Sequence, residues 1–302
     1  MKNIDISILN DIILSVLFVT PDTIERINMG VMNFNYRFNI GLSSYILRVS
    51  PFGRASYLNI EFAIMKELHQ KNCKVPEPLM VSEAFGHSYM IYKPLEGNPL
   101  SSLDFSKGVT NSLAHSIVAN INCMSSLDEK IFERKDLAQI YLKDWEGFLL
   151  QTIDEGKSYL SNKIFFKEFE INKIYKLLIK KISNFREIKL RLVWSDFSQD
   201  NIIVNQDGTL SGFVDFEGCL FGDALLALGY LFAVEGDSIF FKEIKKEYKK
   251  YYQFEDDSIY FYSIFRIFRI AKYLNNPLPT GIARMPLDEY FKGCKLAMSL
   301  IN

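Results

Sequence analysis

The chain has almost no net charge, no long apolar run and no cysteine or histidine at metal-ligand spacing, and each absence removes a class of function. Lysine and arginine total 35 against 36 aspartate and glutamate, a net charge of -1, so no global field recruits nucleic acid or an acidic membrane. Cys73, Cys123, Cys219 and Cys294 lie far apart with no C-x-x-C pair. Neither a zinc site nor a disulfide framework is indicated, and buried free thiols in a reducing compartment are expected. His69, His87 and His115 each stand alone and are assigned no chemistry. No apolar run reaches the roughly 18 residues that cross a bilayer; the longest, 224–234, reads as a buried helix by its length and its Gly229. Residues 12–19 are flanked by Asp5 and Asp11 with only Lys2 basic, which argues against a signal peptide. No membrane partner and a cytoplasmic location are therefore expected.

What is present is 302 residues, 48% of them hydrophobic, enough core for one large or two modest domains. Ile8, Leu9, Ile12, Ile13, Val16 and Leu17 recur at helical spacing, and Pro21 ends that pattern. Residues 23–28, 36–40 and 44–49 read as strands of a small antiparallel sheet, around a loop carrying Gly30 and Asn33. With one glycine and no G-K-[ST], that loop is weak as a phosphate cradle and reads by itself as a hairpin turn. Arg48 lies on the third strand, where protein kinases keep a lysine that contacts nucleotide phosphates and pairs with a helix glutamate. The next helix, 55–70, presents Leu58, Phe62, Met65 and Leu68 on one face, with Glu61 beside it. Strands follow at 79–83 and 88–92, and then a Pro/Gly-bearing connector over 93–99. A domain boundary belongs there, dividing residues 1–93 from 94–302, and such a connector offers backbone groups to an adenine ring.

The second part is mainly helical, at 112–127, 137–161, 166–185, 224–233, 240–252 and 258–274. Its lysine-rich run, 242–250, is interleaved with glutamate at helical spacing and reads as a solvated face rather than a nucleic-acid site. Between these helices stands the stretch 192–218. Asp196 is followed after four residues by Asn201, the spacing of a kinase catalytic loop in which Asp takes the substrate hydroxyl proton and Asn holds Mg²⁺. Taken alone, that pattern is a pair of turn-forming residues. However, 202–204 and 210–214 form a hairpin about Asn205-Gln206-Asp207-Gly208. The hairpin returns Asp215 toward Asn201, so that a hard cation with oxygen ligands could sit between them.

These ordered pieces resemble, over nearly the whole chain, the aminoglycoside phosphotransferase and choline kinase-like superfamily of small-molecule kinases. Residues 30–33 are similar to its nucleotide loop, 45–49 to its third strand, 59–61 to the start of its Glu-bearing helix, and 75–78 with 89–97 to the approach to its lobe hinge. The most specific match is 192–223, similar to a His-Gly-Asp, four residues, Asn loop followed by Ile-Asp-Phe/Trp and Gly-Asp-Pro.

The resemblance implies an α+β, bilobal, protein-kinase-like fold: a small N-lobe with an antiparallel sheet and one main helix, and a larger, mostly helical C-lobe with the catalytic-loop hairpin. It implies Asp196 as catalytic, Asn201 and Asp215 as magnesium ligands, and Gly30, Asn33, Arg48, Glu61, Met90 and Tyr92 around ATP, with GTP possible. Two positions depart from the pattern: Trp194-Ser195 replaces His-Gly, and Ala227 stands where a second Asp commonly follows Gly-Asp.

The expected partner is a hydroxyl-bearing small molecule, handled by a monomer or weak homodimer. Three uses stay open: an antibiotic (aminoglycoside-type) O-phosphotransferase first, a metabolic kinase for choline, a sugar or an amino alcohol second, and a nucleotide-binding pseudokinase third. Glu235, Asp237, Glu255, Asp256 and Asp257 are candidate contacts for a cationic acceptor by charge alone. Arg266, Arg269 and Lys272 would suit an anionic or neutral one.

Overall fold

Five antiparallel strands and two helices make the first part of the chain, in a computed structural model that describes residues 4–27, 30, 32–51, 55–103, 109–128, 130–131, 134, 137, 140, 144–160, 170–185, 188–273 and 291–301. Asn28 of the first predicted strand, Met29 and Val31 of the predicted loop, and parts of the helices expected over 137–161, 166–185 and 258–274, lie outside these residues. The chain folds as two units, the first comprising Met1–Gly97 and Ser211–Glu217, the second Asn98–Leu210, Gly218–Asn276 and Met285–Asn302.

In the first unit, helix α1 (Ile6–Leu17) is started by Asp5, whose carboxylate accepts from Ser7 N at 2.9 Å. Strands β1 (Thr23–Ile27), β2 (Phe34–Ile40), β3 (Ser43–Ser50), β4 (Glu77–Ala84) and β5 (His87–Lys93) pair in the order β1-β2-β3-β5-β4, with α2 (Ala55–Gln70) between β3 and β4. Side chains alternate across a strand, and the sequence uses both faces. Phe34, Tyr36, Phe38, Leu47, Val49, Tyr89 and Ile91 pack in one core with Leu9, Ile12 and Ile13 of α1. Arg48, opposite Met90 in register, must therefore point to the other face. Leu58, Met65 and Leu68 of α2 are buried, and α2 packs on β4 and β5. The segment Ser211–Glu217 adds to this unit through Phe213, whose N donates to Lys74 O at 3.0 Å. Gly212 permits that approach, because a Cβ there would lie 2.5 Å from Lys74 O.

The second unit contains α3 (Asn111–Ser125), α4 (Trp145–Leu160), α5 (Ile171–Lys181), α6 (Leu225–Glu235), α7 (Ile239–Tyr248), α8 (Asp256–Ile270) and α9 (Lys292–Leu300). Helix α8 is buried from Phe261 through Phe268 and is packed by α4, α6 and α9. Strands β7 (Leu190–Val193) and β10 (Leu220–Asp223) pair antiparallel, and β6 (Asn98–Pro99) pairs with β8 (Ile202–Val204). The predicted turn leads from β8 to β9 (Leu210–Phe213), closed by Asn205 N to Thr209 O at 2.9 Å and Gly208 N to Asn205 O at 3.0 Å.

The lysine-rich run lies on α7 and just beyond it, with Lys242 on Asp237 at 2.9 Å, Lys246 on Glu243 at 3.6 Å and Lys250 on Glu247 at 2.6 Å. No helix among the described residues is long and apolar enough to cross a membrane. Free, buried thiols are found at Cys219 and Cys294, as expected of those two.

Asp223 ends β10 inside this helical core, and burial raises its carboxyl above the ordinary range although two hydrogen bonds act to lower it. Those bonds come from Tyr262 Oη at 2.7 Å and Leu225 N at 3.0 Å, while Trp145 Nε1 donates to the same Tyr262 oxygen at 3.0 Å. Tyr262→Phe removes a donor from a buried carboxylate and an acceptor from a buried indole. It should lower stability by about 1–3 kcal/mol, read as a drop in the urea midpoint; an unchanged midpoint would show that this chain of bonds carries no stability.

Candidate active site

In the first unit the predicted Arg48–Glu61 pair forms, and it does not stand alone. Arg48 Nη1 lies 3.2 Å from Glu61 Oε1, and Nη2 donates to Asp215 Oδ1 at 2.9 Å and lies 3.5 Å from Glu217 Oε2. Asn33 Nδ2 donates to Glu217 Oε2 at 2.6 Å, and the backbone N of Phe216 donates to Glu61 Oε1 at 3.1 Å. The sequence builds this locally: strand alternation sends Arg48 away from the α1 core, the apolar face of α2 carries Glu61 inward, and the segment after Gly212 brings Asp215 and Glu217. Arg48 is 5% exposed, Glu61 1% and Asn33 3%.

One guanidinium is thus shared by three carboxylates. Burial works against the Arg48 charge, but Asp215, Glu61 and the Tyr92 phenol outweigh it and hold the group above its ordinary range. Burial raises the Glu61 carboxyl, Arg48 pulls it back and Asp215 raises it again; the balance stands at about 7 against an ordinary 4.5. Glu61 Oε2 is buried with no hydrogen-bond partner among the described residues. Tyr92, half-buried, bonds to Arg48, and burial pushes its phenol up to about 12. Asp215 adopts φ 63°, a left-handed conformation that non-glycine residues hold at a cost and that is enriched at functional sites.

In the second unit, Asn201 Nδ2 donates to Asp196 Oδ2 at 2.8 Å and to Asp196 O at 3.0 Å. The amide is thereby oriented with its nitrogen inward, and Asn201 Oδ1 accepts no hydrogen bond among the described residues. The intervening residues are fastened too. Gln199 Nε2 donates to Glu235 Oε1 at 2.8 Å, and Ser101 Oγ donates to Asp200 Oδ1 at 2.5 Å. Trp194, buried, stacks on Phe197 with ring centroids 5.6 Å apart.

The structure therefore gathers Asn33, Arg48, Glu61, Tyr92 and Asp215 in one unit, and Asp196 with Asn201 in the other. Met90 is fully buried beside Arg48's partner strand position, and Gly30 takes φ 92° ahead of Asn33. Sequence reasoning gave Glu217 no role; its signal was its place two residues beyond Asp215 on the same segment. Among the described residues no group of three or more His, Cys, Asp or Glu is placed to hold a metal ion. A magnesium ion that keeps water and phosphate oxygens as ligands needs only one or two protein oxygens, and the Asn201 oxygen, which accepts no hydrogen bond among the described residues, fits that need.

Of the charged candidates for acceptor binding, Asp237, Asp256 and Asp257 are paired with Lys242, Lys245 and Lys181. Glu235 is held by Gln199 and by Ser238 Oγ at 3.0 Å. Arg266, a candidate for an anionic or neutral acceptor, is instead buried and donates to Tyr230 O at 2.7 Å. The Lys272 side chain lies outside the description.

A family model described as the phosphotransferase enzyme family matches residues 23–262. Solved structures share the fold over nearly the full length. A thermostable mutant of aminoglycoside phosphotransferase APH(4)-Ia, apo form, is 13% identical with a TM-score of 0.70, covering 96% of this chain and 97% of that one. The GDP complex of wild-type aminoglycoside 2'-phosphotransferase-IIIa is 15% identical with a TM-score of 0.70, covering 98% of each. The GDP and kanamycin complex of APH(2")-IIia is 17% identical with a TM-score of 0.66, covering 96% and 97%. None of the curated proteins matches the sequence.

The Glu61 proton has a consequence for stability. Because the folded chain releases it near pH 7 and the unfolded chain near 4.5, the folded chain holds more protons between those values. This carboxyl's contribution is therefore complete below pH 4.5 and lost as the pH rises to about 7. Relative to Glu61→Gln, the wild type should lose stability across that window and run parallel above it, measured by urea midpoints at stepped pH. Parallel profiles throughout would exclude Glu61 as the titrating group.

Proposed function

Because the chain belongs to the phosphotransferase enzyme family, we propose that it transfers the γ-phosphoryl group of ATP or GTP to a hydroxyl of a small molecule, with an aminoglycoside-type antibiotic as the first candidate. The observation that supports this most is the bond from Arg48 to Asp215, 167 positions away, in a cluster that also contains Glu61. Burying several like charges around one arginine is costly and serves no packing purpose that apolar residues would not meet better.

In this reading Asp196 orients the acceptor hydroxyl and takes its proton. Asn201 and Asp215 would hold Mg²⁺, which would supply neutralisation of negative charge on the phosphates. Arg48, aimed by Glu61, faces the nucleotide phosphates; Gly30 and Asn33 cover them, and Met90 and Tyr92 belong to the nucleotide side. Transfer of this kind depends on positioning and charge, and the loop is tied at Gln199, Asp200 and Asn201 for that task. A metabolic kinase for choline, a sugar or an amino alcohol is the second reading. It is favoured by the lysine pairing of Asp237, Asp256 and Asp257, which lowers the anionic field available to a polycation. The protein acts in the cytoplasm as a monomer or weak homodimer.

Nucleotide consumption across aminoglycosides, choline, sugars and amino alcohols, with Mg²⁺ and with ATP or GTP, decides among these. Asp196→Ala should lower turnover by at least about 10²–10⁴-fold and leave nucleotide affinity within about twofold. Turnover at the wild-type rate would sink the assignment of Asp196, and nucleotide binding without product from any acceptor would leave the pseudokinase.

A further inference from the structure

We propose that Ser195 is a positioning residue for Asp196, an inference that rests on the phosphoryl-transfer reading above. It stands immediately before Asp196, where the family resemblance has glycine. Ser195 is 7% exposed, and its Oγ donates to Gly218 O at 2.5 Å. A Cβ on Gly218 would lie 3.1 Å from that Oγ and 3.9 Å from Asp196 Cβ, so a side chain at Gly218 would press on both residues. The hydroxyl is the directional tie at this approach.

Neighbouring residues show why a tie is useful here. Trp194 packs under the loop against Phe197, and flat stacking fixes distance better than it fixes rotation. On the far side of Asp196, the Asn201 amide grips both its carboxylate and its carbonyl. With Ser195 fastened to Gly218, Asp196 is held from both chain directions. A buried hydroxyl also demands a partner, so the bond persists rather than exchanging with water. Without it the carboxylate gains freedom about the backbone of residues 194–196, and a displacement near 1 Å costs on the order of 10²-fold in rate.

Ser195→Ala and Ser195→Thr, compared with the wild type, test this. The Ala variant should lose about ten- to a hundredfold in kcat with KM for MgATP unchanged, and Thr, which keeps the hydroxyl, should restore most of the loss. Independently of turnover, amide hydrogen exchange in the Ala variant should quicken by about tenfold at residues 196–201 and 218–219 and stay as in the wild type elsewhere. Should Ala fail to fold, Ser195→Gly, the residue of the resembled families, replaces it with the same expectations. A lower melting temperature with wild-type kcat, or loop exchange equal to the wild type, overturns the role. If the wild type phosphorylates no acceptor, the phosphoryl-transfer reading falls, whereas the exchange measurement still decides the tie between Ser195 and Gly218.

Discussion

One guanidinium shared by three carboxylates is the constraint on which the rest of the first unit depends. Arg48 and Glu61 have left water, so each needs its partners in place, and removing one partner from such a set strands the remaining buried charge. The alternation of β3, the inward turn of Glu61 on α2, the missing Cβ at Gly212 and the left-handed backbone at Asp215 all serve the same end. Strain in the backbone and excess negative charge are tolerated here because the apolar core between α1 and the sheet lies on the opposite face and is unaffected by them.

The catalytic-loop half of the candidate site follows a different logic. Hydrogen bonds from neutral groups act there: an amide on Asp196, a hydroxyl on Asp200, an amide on Glu235. Such bonds fix geometry. Arg48 and its partners define a field; the residues around Asp196 define a position. A reaction limited by placement and charge requires both.

What was legible in the sequence was whatever repeats at short range. Strand alternation and helix periodicity placed Arg48 and Glu61 correctly, and the turn chemistry of Asn205 to Gly208 located the hairpin. The spacing of Asp196 and Asn201 identified two residues that do bond to each other. Contacts without a local signature were not legible. Glu217 looked like one more residue of a loop, and Tyr92 like part of a hinge, because their meeting with Arg48 depends on a chain path that no short-range pattern records. The strand Leu220–Asp223 was read only as a motif, since its glycine and aspartate disfavour strand by propensity, while pairing with β7 decides the matter. The buried Arg266 shows that a charge in a sequence says little about its exposure.

The membership of Ser211–Glu217 in the first unit also dictates an order of events at the ribosome. Residues through Gly97 emerge with their sheet and helices encoded, but the last two carboxylates of the buried cluster are more than a hundred residues behind them in synthesis. Until they arrive, Arg48 has only Glu61, and the face of the sheet that will be sealed stays open to water and to chaperones. The nascent first unit is thus an unfinished half, completed only when most of the second has been made. The division of the chain into units is consequently not a division in time, since the first cannot be finished before Glu217 is made.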